Sequence, residues 1–123
     1  MRILAVDDSR TIRDLVELTL TREGFDAVLA EDGQHGIDVL EGMADAPDAI
    51  LTDINMPRLD GFGFIEEVRR REAYNGIPIL VLTTESAKEM RMRARKAGAT
   101  GWIVKPFDPA RLVGALRTVT GLQ

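Results

Sequence analysis

Short apolar runs alternate with amphipathic segments five times along this chain of 123 residues, and that alternation constrains its fold more than any other feature. The first, third and fourth runs are continuously apolar, which is typical of strands buried on both faces of a parallel sheet. The amphipathic segments between the runs provide the helical crossovers that parallel strands need. The sequence therefore predicts an α/β fold with a doubly wound, five-stranded parallel sheet. Its predicted strands are residues 3–6, 25–29, 49–52, 78–82 and 102–104.

Residues that favour helix N-termini precede four of the five helical segments. The fourth helix is expected to begin at Ser86 and to end at Gly98. The other predicted helix starts are Ser9 or Arg10, a position after Gly33, Asp60, and Asp108 followed by Pro109. Helical spacing on the first helix predicts an inward face made of Ile12, Leu15, Val16 and Leu18.

The composition excludes several classes of site and partner. The chain has no cysteine, which excludes disulfides, thiolate metal sites and cysteine nucleophiles. Its formal net charge of −4 argues against nucleic acid as a partner, because nucleic acid selects a basic surface. No apolar stretch approaches the roughly 20 residues of a membrane span, and a strand-like run follows Met1-Arg2 in place of a signal peptide. We therefore expect a cytoplasmic protein without membrane insertion and, because the chain stops soon after its fifth helix, without an output domain.

Polar side chains that can handle phosphate or metal follow four of the predicted strands. Asp7 and Asp8 follow the first strand, and Asp53 follows the third. Thr83 follows the fourth strand, and Lys105 follows the fifth. The carboxyl ends of parallel strands share one edge of the sheet, and open α/β sheets bind their ligands at that edge. The sequence therefore predicts that these side chains converge on one functional site.

The residue types in this group predict phosphoryl chemistry. Three carboxylates within a few ångströms repel one another unless a cation lies among them, and oxygen donors without thiols suit Mg²⁺. An aspartate can attack phosphorus, and Asp53 is the best nucleophile candidate because it ends the strand expected to be central. Asp7 and Asp8 are better suited to holding metal and water. Taken alone, each of these acids could instead cap the helix that follows it.

The motifs around these residues resemble those of response-regulator receiver domains, the CheY type in particular. They follow the order and spacing of that family over nearly the whole chain. The motifs are Val6-Asp7-Asp8-Ser9, Asp53-Ile54-Asn55-Met56-Pro57 with Asp60-Gly61 after it, Thr83-Thr84-Glu85, and Lys105-Pro106-Phe107. The resemblance implies a flavodoxin-like and CheY-like (βα)5 fold with strand order 2-1-3-4-5. It also implies a single receiver domain over residues 1–123 and a cis peptide bond between Lys105 and Pro106.

The resemblance further implies the role of each acidic residue. Asp53 would be the phosphoacceptor. Asp8, Asp53 and the backbone carbonyl of Asn55 would bind Mg²⁺, and Asp7 would act mainly through a metal-bound water. The expected cofactor is therefore Mg²⁺.

The same resemblance assigns the residues around the phosphoryl group. Thr83 and Lys105 would bind its oxygens. Asn55 and Glu85 occupy positions that flank the attacking water and tune self-dephosphorylation, and their identities resemble the CheY pairing. Trp102 stands where the family has an aromatic switch, usually Tyr or Phe. Trp is larger and its indole N–H needs a partner when buried, so the inward rotamer stays open at this point.

By this resemblance we expect a signalling switch and not a turnover enzyme. It would accept a phosphoryl group from a CheA-like sensor histidine kinase on Asp53 and later lose it by hydrolysis. Phosphorylation would change the face formed by the fourth helix, the fifth strand and the fifth helix. Chemotaxis is the leading pathway, with a flagellar motor switch protein as target and a monomeric chain. A phosphate sink or a phosphorelay shuttle is the alternative within the same class.

Two other classes of protein compete with this interpretation. An aspartate-nucleophile phosphatase of the haloacid dehalogenase type needs a second acid two residues after the nucleophile, and Asn55 stands at that position. A flavodoxin-like protein that binds nucleotide or flavin needs a Gly-rich phosphate loop after the first strand. The residues there are Asp7-Asp8-Ser9-Arg10.

Overall fold

The computed structural model describes residues 1–121, and within that range five strands alternate with five helices. A short 3₁₀ helix at Glu72–Tyr74, which the sequence did not predict, follows the third helix. Leu122 and Gln123, the last residues of the predicted domain, lie outside the description. The elements are β1 (Arg2–Val6), α1 (Arg10–Arg22), β2 (Asp26–Ala30), α2 (Gly33–Gly42), β3 (Ala49–Thr52), α3 (Gly61–Arg70), β4 (Ile79–Thr83), α4 (Lys88–Ala97), β5 (Gly101–Val104) and α5 (Pro109–Thr120).

The strands form one parallel sheet in the order β2-β1-β3-β4-β5, which confirms the predicted fold. β3 and β4 are buried along their whole length, and β1 is buried from Ile3 onward. Val6, the last residue of β1, pairs with Thr52, the last residue of β3. Thr83, the last residue of β4, pairs with Val104 of β5. This register brings the residues that follow four strands to one edge of the sheet.

Helices cover both faces of the sheet and bury two apolar layers. Side chains of α2, α3 and α4 pack on one face, and those of α1 and α5 pack on the other. Successive strand residues point to opposite layers, so that Leu4 lies in the first layer and Ile3 and Ala5 lie in the second. None of the helices in residues 1–121 has the length and apolar character that a membrane crossing requires.

The predicted inward face of α1 is wrong at two of its four positions. Leu15 and Leu18 are 43% and 48% exposed, whereas Val16, Thr19 and Leu20 are buried. The buried positions fall at the spacing of one helical stripe, and Leu15 and Leu18 lie outside that stripe. The prediction relied on the apolar character of the two leucines. Thr19 is polar but buried, and its hydroxyl donates a hydrogen bond to the Leu15 carbonyl at 2.8 Å.

Three of the predicted caps are present, and the fourth is wrong. Ser9, Asp60 and Asp108 each accept a hydrogen bond from a backbone N–H in the first turn of their helix. Ser86 does not cap α4, which begins two residues later with Ala87 at the N-cap and no side-chain cap. The physical reason is that Ala87 has extended backbone angles (φ −63°, ψ 135°), so the helix cannot include it, and the first helical carbonyl is that of Ala87, which accepts the Arg91 N–H at 3.1 Å.

Candidate functional site

Three aspartates form an oxygen-rich cluster at the carboxyl edge of the sheet, as predicted. Asp7, Asp8 and Asp53 each offer one carboxylate oxygen, and these oxygens lie within 4.8 Å of one another. Asp7 and Asp53 are buried and Asp8 is exposed. The Asp7 N–H donates to the Ala30 carbonyl at 3.1 Å, and the Asp53 N–H donates to the Val6 carbonyl at 2.9 Å. The sheet ladder therefore fixes the backbone of both buried acids.

Lys105 reaches this cluster from the residue after β5. Its Nζ lies 2.7 Å from Asp7 Oδ2 and 3.4 Å from Asp53 Oδ2, and its side chain is only 9% exposed. The Lys105 N–H donates to the Thr83 carbonyl at 2.7 Å, and the Lys105–Pro106 peptide bond is cis as predicted. One ammonium group thus bridges two carboxylates that belong to different strands.

The cluster carries more negative charge than Lys105 neutralises. Burial raises the pKa of Asp7 above its ordinary value, and the nearby Asp53 carboxylate adds to that effect. The Lys105 ammonium and the Ser9 N–H, which donates to Asp7 Oδ1 at 2.9 Å, favour the ionised form without reversing the shift. A further cation would therefore be attracted to this edge.

The donor set fits Mg²⁺. The clustered donors are carboxylate oxygens, which are ligands for a hard cation, and nitrogen or sulfur ligands do not contribute to the cluster among the described residues. Asn55, whose backbone carbonyl is a predicted ligand, lies two residues after Asp53 and is exposed. Its side chain donates to Glu85 Oε1 at 3.4 Å, so the two residues predicted to tune dephosphorylation are in contact.

Thr83 and Trp102 are joined through the backbone of Glu85. The buried Thr83 hydroxyl accepts a hydrogen bond from the Glu85 N–H at 3.4 Å. The Trp102 indole N–H donates to the Glu85 carbonyl at 3.0 Å, and its half-buried ring packs against the layer of α2, α3 and α4. The indole partner that the sequence required is thus a backbone carbonyl. Thr83, Glu85 and Trp102 form a continuous path from the cluster to β5.

A groove between α4 and β5 lies at the far end of this path. It encloses about 460 Å³ and is lined by residues that include Lys88, Arg91, Met92, Arg95 and Trp102. Met92 is 60% exposed, which leaves an apolar side chain among the basic ones. Arg93 of the same helix turns away and stacks 4.0 Å over the ring of Phe62. The groove is therefore lined by basic side chains together with the apolar side chains of Met92 and Trp102.

Two arginines near the site were not predicted. Arg13 Nη1 donates to the Asp7 carbonyl at 2.7 Å and holds the turn that carries Asp7 and Asp8. Arg58 forms an ion pair with Asp32, which lies 26 residues earlier in the chain. The contact of Arg58 joins two segments that are distant in the chain, whereas that of Arg13 spans six residues and reaches a backbone carbonyl.

Gly61 seals the loop that follows Asp53. Its N–H donates to the Ile54 carbonyl at 2.8 Å, and a Cβ at this position would lie 2.1 Å from the Asp53 carbonyl oxygen and 2.7 Å from Ile54 Cα. Ile54 in turn donates its N–H to Asp53 Oδ1 at 2.7 Å, which orients the carboxylate. The orientation of Asp53 thus depends on a close backbone approach that only glycine permits.

We expect Gly61→Ala to lower the free energy of unfolding by about 3 kcal/mol, because backbone atoms must move to admit the methyl group. Urea unfolding followed by circular dichroism would measure this loss. Gly114→Ala in α5 is the matched control, since a Cβ there meets nothing within 4 Å. That variant should be stabilised by up to about 1 kcal/mol. Equal stabilities of the two variants would contradict the close approach at Gly61.

Comparison with known proteins gives consistent matches. Residues 3–117 match the family model of the response regulator receiver domain. The chain is 39% identical over 123 residues to a chemotaxis protein CheY homolog of Campylobacter jejuni, an alignment that covers 98% of this chain and 93% of that relative. The matched range includes every motif from Val6-Asp7-Asp8-Ser9 to Lys105-Pro106-Phe107.

Solved structures show the same likeness. Chemotaxis protein CheY4 of Vibrio cholerae is similar with a TM-score of 0.90 and 41% identity, covering 96% of this chain and 97% of that one. The receiver domain of the sensor histidine kinase PA1611 from Pseudomonas aeruginosa was solved with a magnesium ion coordinated in its active site cleft. Its TM-score is 0.89 at 31% identity, and the match covers 98% of this chain and 97% of that one.

Proposed function

Because this chain belongs to the response regulator receiver domain family, we propose that it is a phosphorylation-activated switch that takes a phosphoryl group on Asp53. The observation that carries this proposal is the contact of one ammonium, Lys105 Nζ, with the carboxylates of Asp7 and Asp53 beside Asp8. A buried nucleophile, a cation donor set and a phosphoryl-binding ammonium are thereby combined at one sheet edge. The protein is a signalling switch of the CheY type rather than an enzyme of the usual kind.

The transfer step follows from these positions. An Asp53 carboxylate oxygen forms a bond to phosphorus while the bond from phosphorus to a histidine nitrogen of the donor breaks. The Ile54 N–H holds the other carboxylate oxygen, and Lys105 neutralises charge on the phosphoryl oxygens. Asp8, Asp53 and the Asn55 carbonyl would hold Mg²⁺, with Asp7 supporting them from the outer shell. When bound, Mg²⁺ supplies further charge neutralisation at the phosphoryl group.

Loss of the phosphoryl group is the second half of the cycle. A water oxygen bonds to phosphorus, the bond from phosphorus to Asp53 breaks, and inorganic phosphate leaves. Asn55, which lies two residues after Asp53, is in contact with Glu85. We propose that this pair sets the lifetime of the phosphorylated state. The side chains guide the water and are not consumed.

The signal leaves through Thr83. Phosphorylated Asp53 would carry about −1.5 to −2 charges in place of the single charge of its carboxylate, and new acceptor oxygens would lie beside the Thr83 hydroxyl. Thr83 then donates to a phosphoryl oxygen, and its contact with the Glu85 N–H is altered. Because Glu85 also holds the Trp102 indole, the change reaches the face formed by α4, β5 and α5.

The relatives named as chemotaxis proteins support a place in chemotaxis. We propose a CheA-like sensor histidine kinase as the phosphoryl donor and a flagellar motor switch protein as the target, both met in the cytoplasm. The basic groove of α4 and β5 supports a protein target, and its uniform charge disfavours self-association through that groove. The chain would then act as a monomer.

The single tryptophan provides the test. Trp102 fluorescence is followed while Mg²⁺ and then beryllofluoride, a phosphoryl mimic, are added. We expect a response to beryllofluoride that requires Mg²⁺. Thr83→Ala should reduce that response severalfold while Mg²⁺ still binds, because the hydroxyl that links the phosphoryl site to Trp102 is absent. Asp45→Asn, a change of an exposed acid between α2 and β3, is the control and should behave like the wild type. A wild-type protein that responds to neither addition would contradict the proposed function.

A further inference from the structure

The loop between β3 and α3 contains a strained turn. The Leu59 N–H donates to the Pro57 carbonyl at 2.7 Å, two residues back, and the central residue Arg58 has a φ of 66°. This is the rarer γ-turn, the form with positive φ, and it is energetically unfavourable for a residue with a Cβ. Strain of this kind persists only where surrounding contacts overdetermine the conformation.

An ion pair supplies such a contact. Arg58 Nε lies 2.9 Å from Asp32 Oδ2, and Arg58 Nη2 lies 3.1 Å from Asp32 Oδ1. The guanidinium therefore donates two hydrogen bonds to the carboxylate. The Asp32 side chain is only 7% exposed, whereas that of Arg58 is 56% exposed. Asp32 is itself fixed, because its Oδ1 also accepts the His35 N–H at 2.8 Å as the N-cap of α2.

A second contact presses the start of α2 against the same turn. The Gly33 N–H donates to the Leu59 carbonyl at 3.2 Å, and a Cβ on Gly33 would lie 2.2 Å from that oxygen. At its base the loop is closed by the Gly61 N–H on the Ile54 carbonyl. The segment between Ile54 and Gly61 is therefore held at its base by its own backbone and at its tip by α2.

We propose that Arg58 is a positioning residue whose ion pair with Asp32 holds the strained turn and thereby fixes the loop that presents the Asn55 carbonyl to Mg²⁺. The inference rests on the proposed function, because it concerns the metal site of the same switch. Asn55 and Arg58 lie in one short loop, so relaxation of the turn at Arg58 changes the peptide planes between them. The pKa of Asp32 is held below its ordinary value mainly by its hydrogen bonds with Arg58, in agreement with a maintained pair.

Electrostatic repulsion alone would predict the opposite change in Mg²⁺ affinity when Arg58 is removed. Arg58 is a cation in the same short loop as a site that binds a cation, so its removal without any positioning effect would strengthen Mg²⁺ binding. If Arg58 positions the loop, its removal weakens Mg²⁺ binding instead. The direction of the change therefore separates the two roles.

The test measures the Mg²⁺ dissociation constant by isothermal titration calorimetry in a set of variants. Arg58→Ala keeps the backbone strain and removes the ion pair. We expect its Mg²⁺ dissociation constant to rise roughly tenfold, which is the lower end of the range for losing a residue that supports metal ligands. Asp32→Asn should have a similar effect although asparagine still caps α2 well. The double variant should be little weaker than either single one, because both changes remove the same contact.

Glycine at position 58 tests the strain directly. Arg58→Gly loses the ion pair but adopts positive φ without a steric penalty, so it should recover most of the lost affinity. Arg117→Ala is the matched control, because it breaks an exposed pair with Glu23 between α5 and α1. Its Mg²⁺ affinity should equal that of the wild type. Circular dichroism confirms that each variant is folded.

The outcomes are distinct. Unchanged or tighter Mg²⁺ binding in Arg58→Ala, or equal losses in Arg58→Ala and Arg58→Gly, would overturn the positioning role while leaving the proposed function intact. A wild-type protein that binds no Mg²⁺, or whose binding is unaffected by Asp53→Asn, would overturn the proposed function itself, and the inference with it.

Discussion

Replacing Asp53 by asparagine should abolish phosphorylation while the fold stays intact. The amide has no ionised oxygen to form a bond with phosphorus, so the loss is complete and not partial. Its carbonyl oxygen can still accept the Ile54 N–H, and Lys105 keeps Asp7 as a partner. The free energy of unfolding should therefore change by no more than about 1 kcal/mol, since one of several repelling carboxylates is removed.

Intact-protein mass spectrometry after incubation with acetyl phosphate and Mg²⁺ measures this expectation. The wild type should gain one phosphoryl group that is lost in base, and Asp53→Asn should gain none. Asp45→Asn again serves as the control and should be phosphorylated like the wild type. A base-labile phosphoryl group on Asp53→Asn would show that another acid is the acceptor.

Replacing Lys105 by alanine should leave Mg²⁺ binding in place and block the switch. The carboxylates that would hold the ion remain, but the ammonium that neutralises the phosphoryl oxygens is absent. Loss of one such stabilising group lowers a transfer rate by roughly a hundredfold or more. Calorimetry with Mg²⁺, phosphorylation rates from acetyl phosphate and the Trp102 response to beryllofluoride would measure the three effects.

The same variant should also change how stability depends on pH. Burial raises the pKa of Asp7 above 3.8, and the interactions with Lys105 oppose that shift. Without Lys105 the pKa rises further. A carboxyl whose folded-state pKa is raised destabilises the protein as pH increases through that pKa, because the unfolded chain ionises more readily. The stability of Lys105→Ala relative to the wild type should therefore fall as pH rises above about 4, the ordinary range of an aspartate pKa.

Lys96→Ala, a change of an exposed lysine on α4, is the control for this pH dependence. Its stability should run parallel to that of the wild type. Saturating Mg²⁺ should restore part of the stability of Lys105→Ala, since a ligand that binds only the folded state stabilises it. A pH-independent difference, or a full beryllofluoride response in Lys105→Ala, would contradict the role assigned to Lys105.

The convergence of the acidic residues and Lys105 could be predicted from the sequence because these residues follow strand ends. Short apolar runs located β1, β3, β4 and β5, and the position of the residue after each run is fixed by the parallel register of the sheet. The meeting of Asp7, Asp53 and Lys105 follows from that geometry. The caps at Asp60 and Asp108 were predictable for a similar reason, since each depends on residues next to it in the chain.

Features that depend on distant contacts were not predictable in the same way. The indole N–H of Trp102 binds the Glu85 carbonyl, 17 residues earlier in the chain, and no local pattern predicts that contact. The ion pair of Arg58 and Asp32 joins two loops, and the sequence of neither loop predicts this pairing. On α1 the leucine positions suggested burial, but the direction of the helix on the sheet selected Thr19 in place of Leu15.

The missing side-chain cap makes α4 the helix whose displacement costs the least free energy. α4 has a single buried residue, Ala94, whereas α3 buries five, so little packing is lost when α4 shifts on the sheet. Its first turn also lacks the side-chain hydrogen bond that typically contributes about 1 kcal/mol at a helix start. Segments with so few buried contacts open locally at a free-energy cost that is a small fraction of the global free energy of unfolding. The fold thus places the helix with the fewest buried residues soon after Thr83, where the proposed phosphorylation of Asp53 would act.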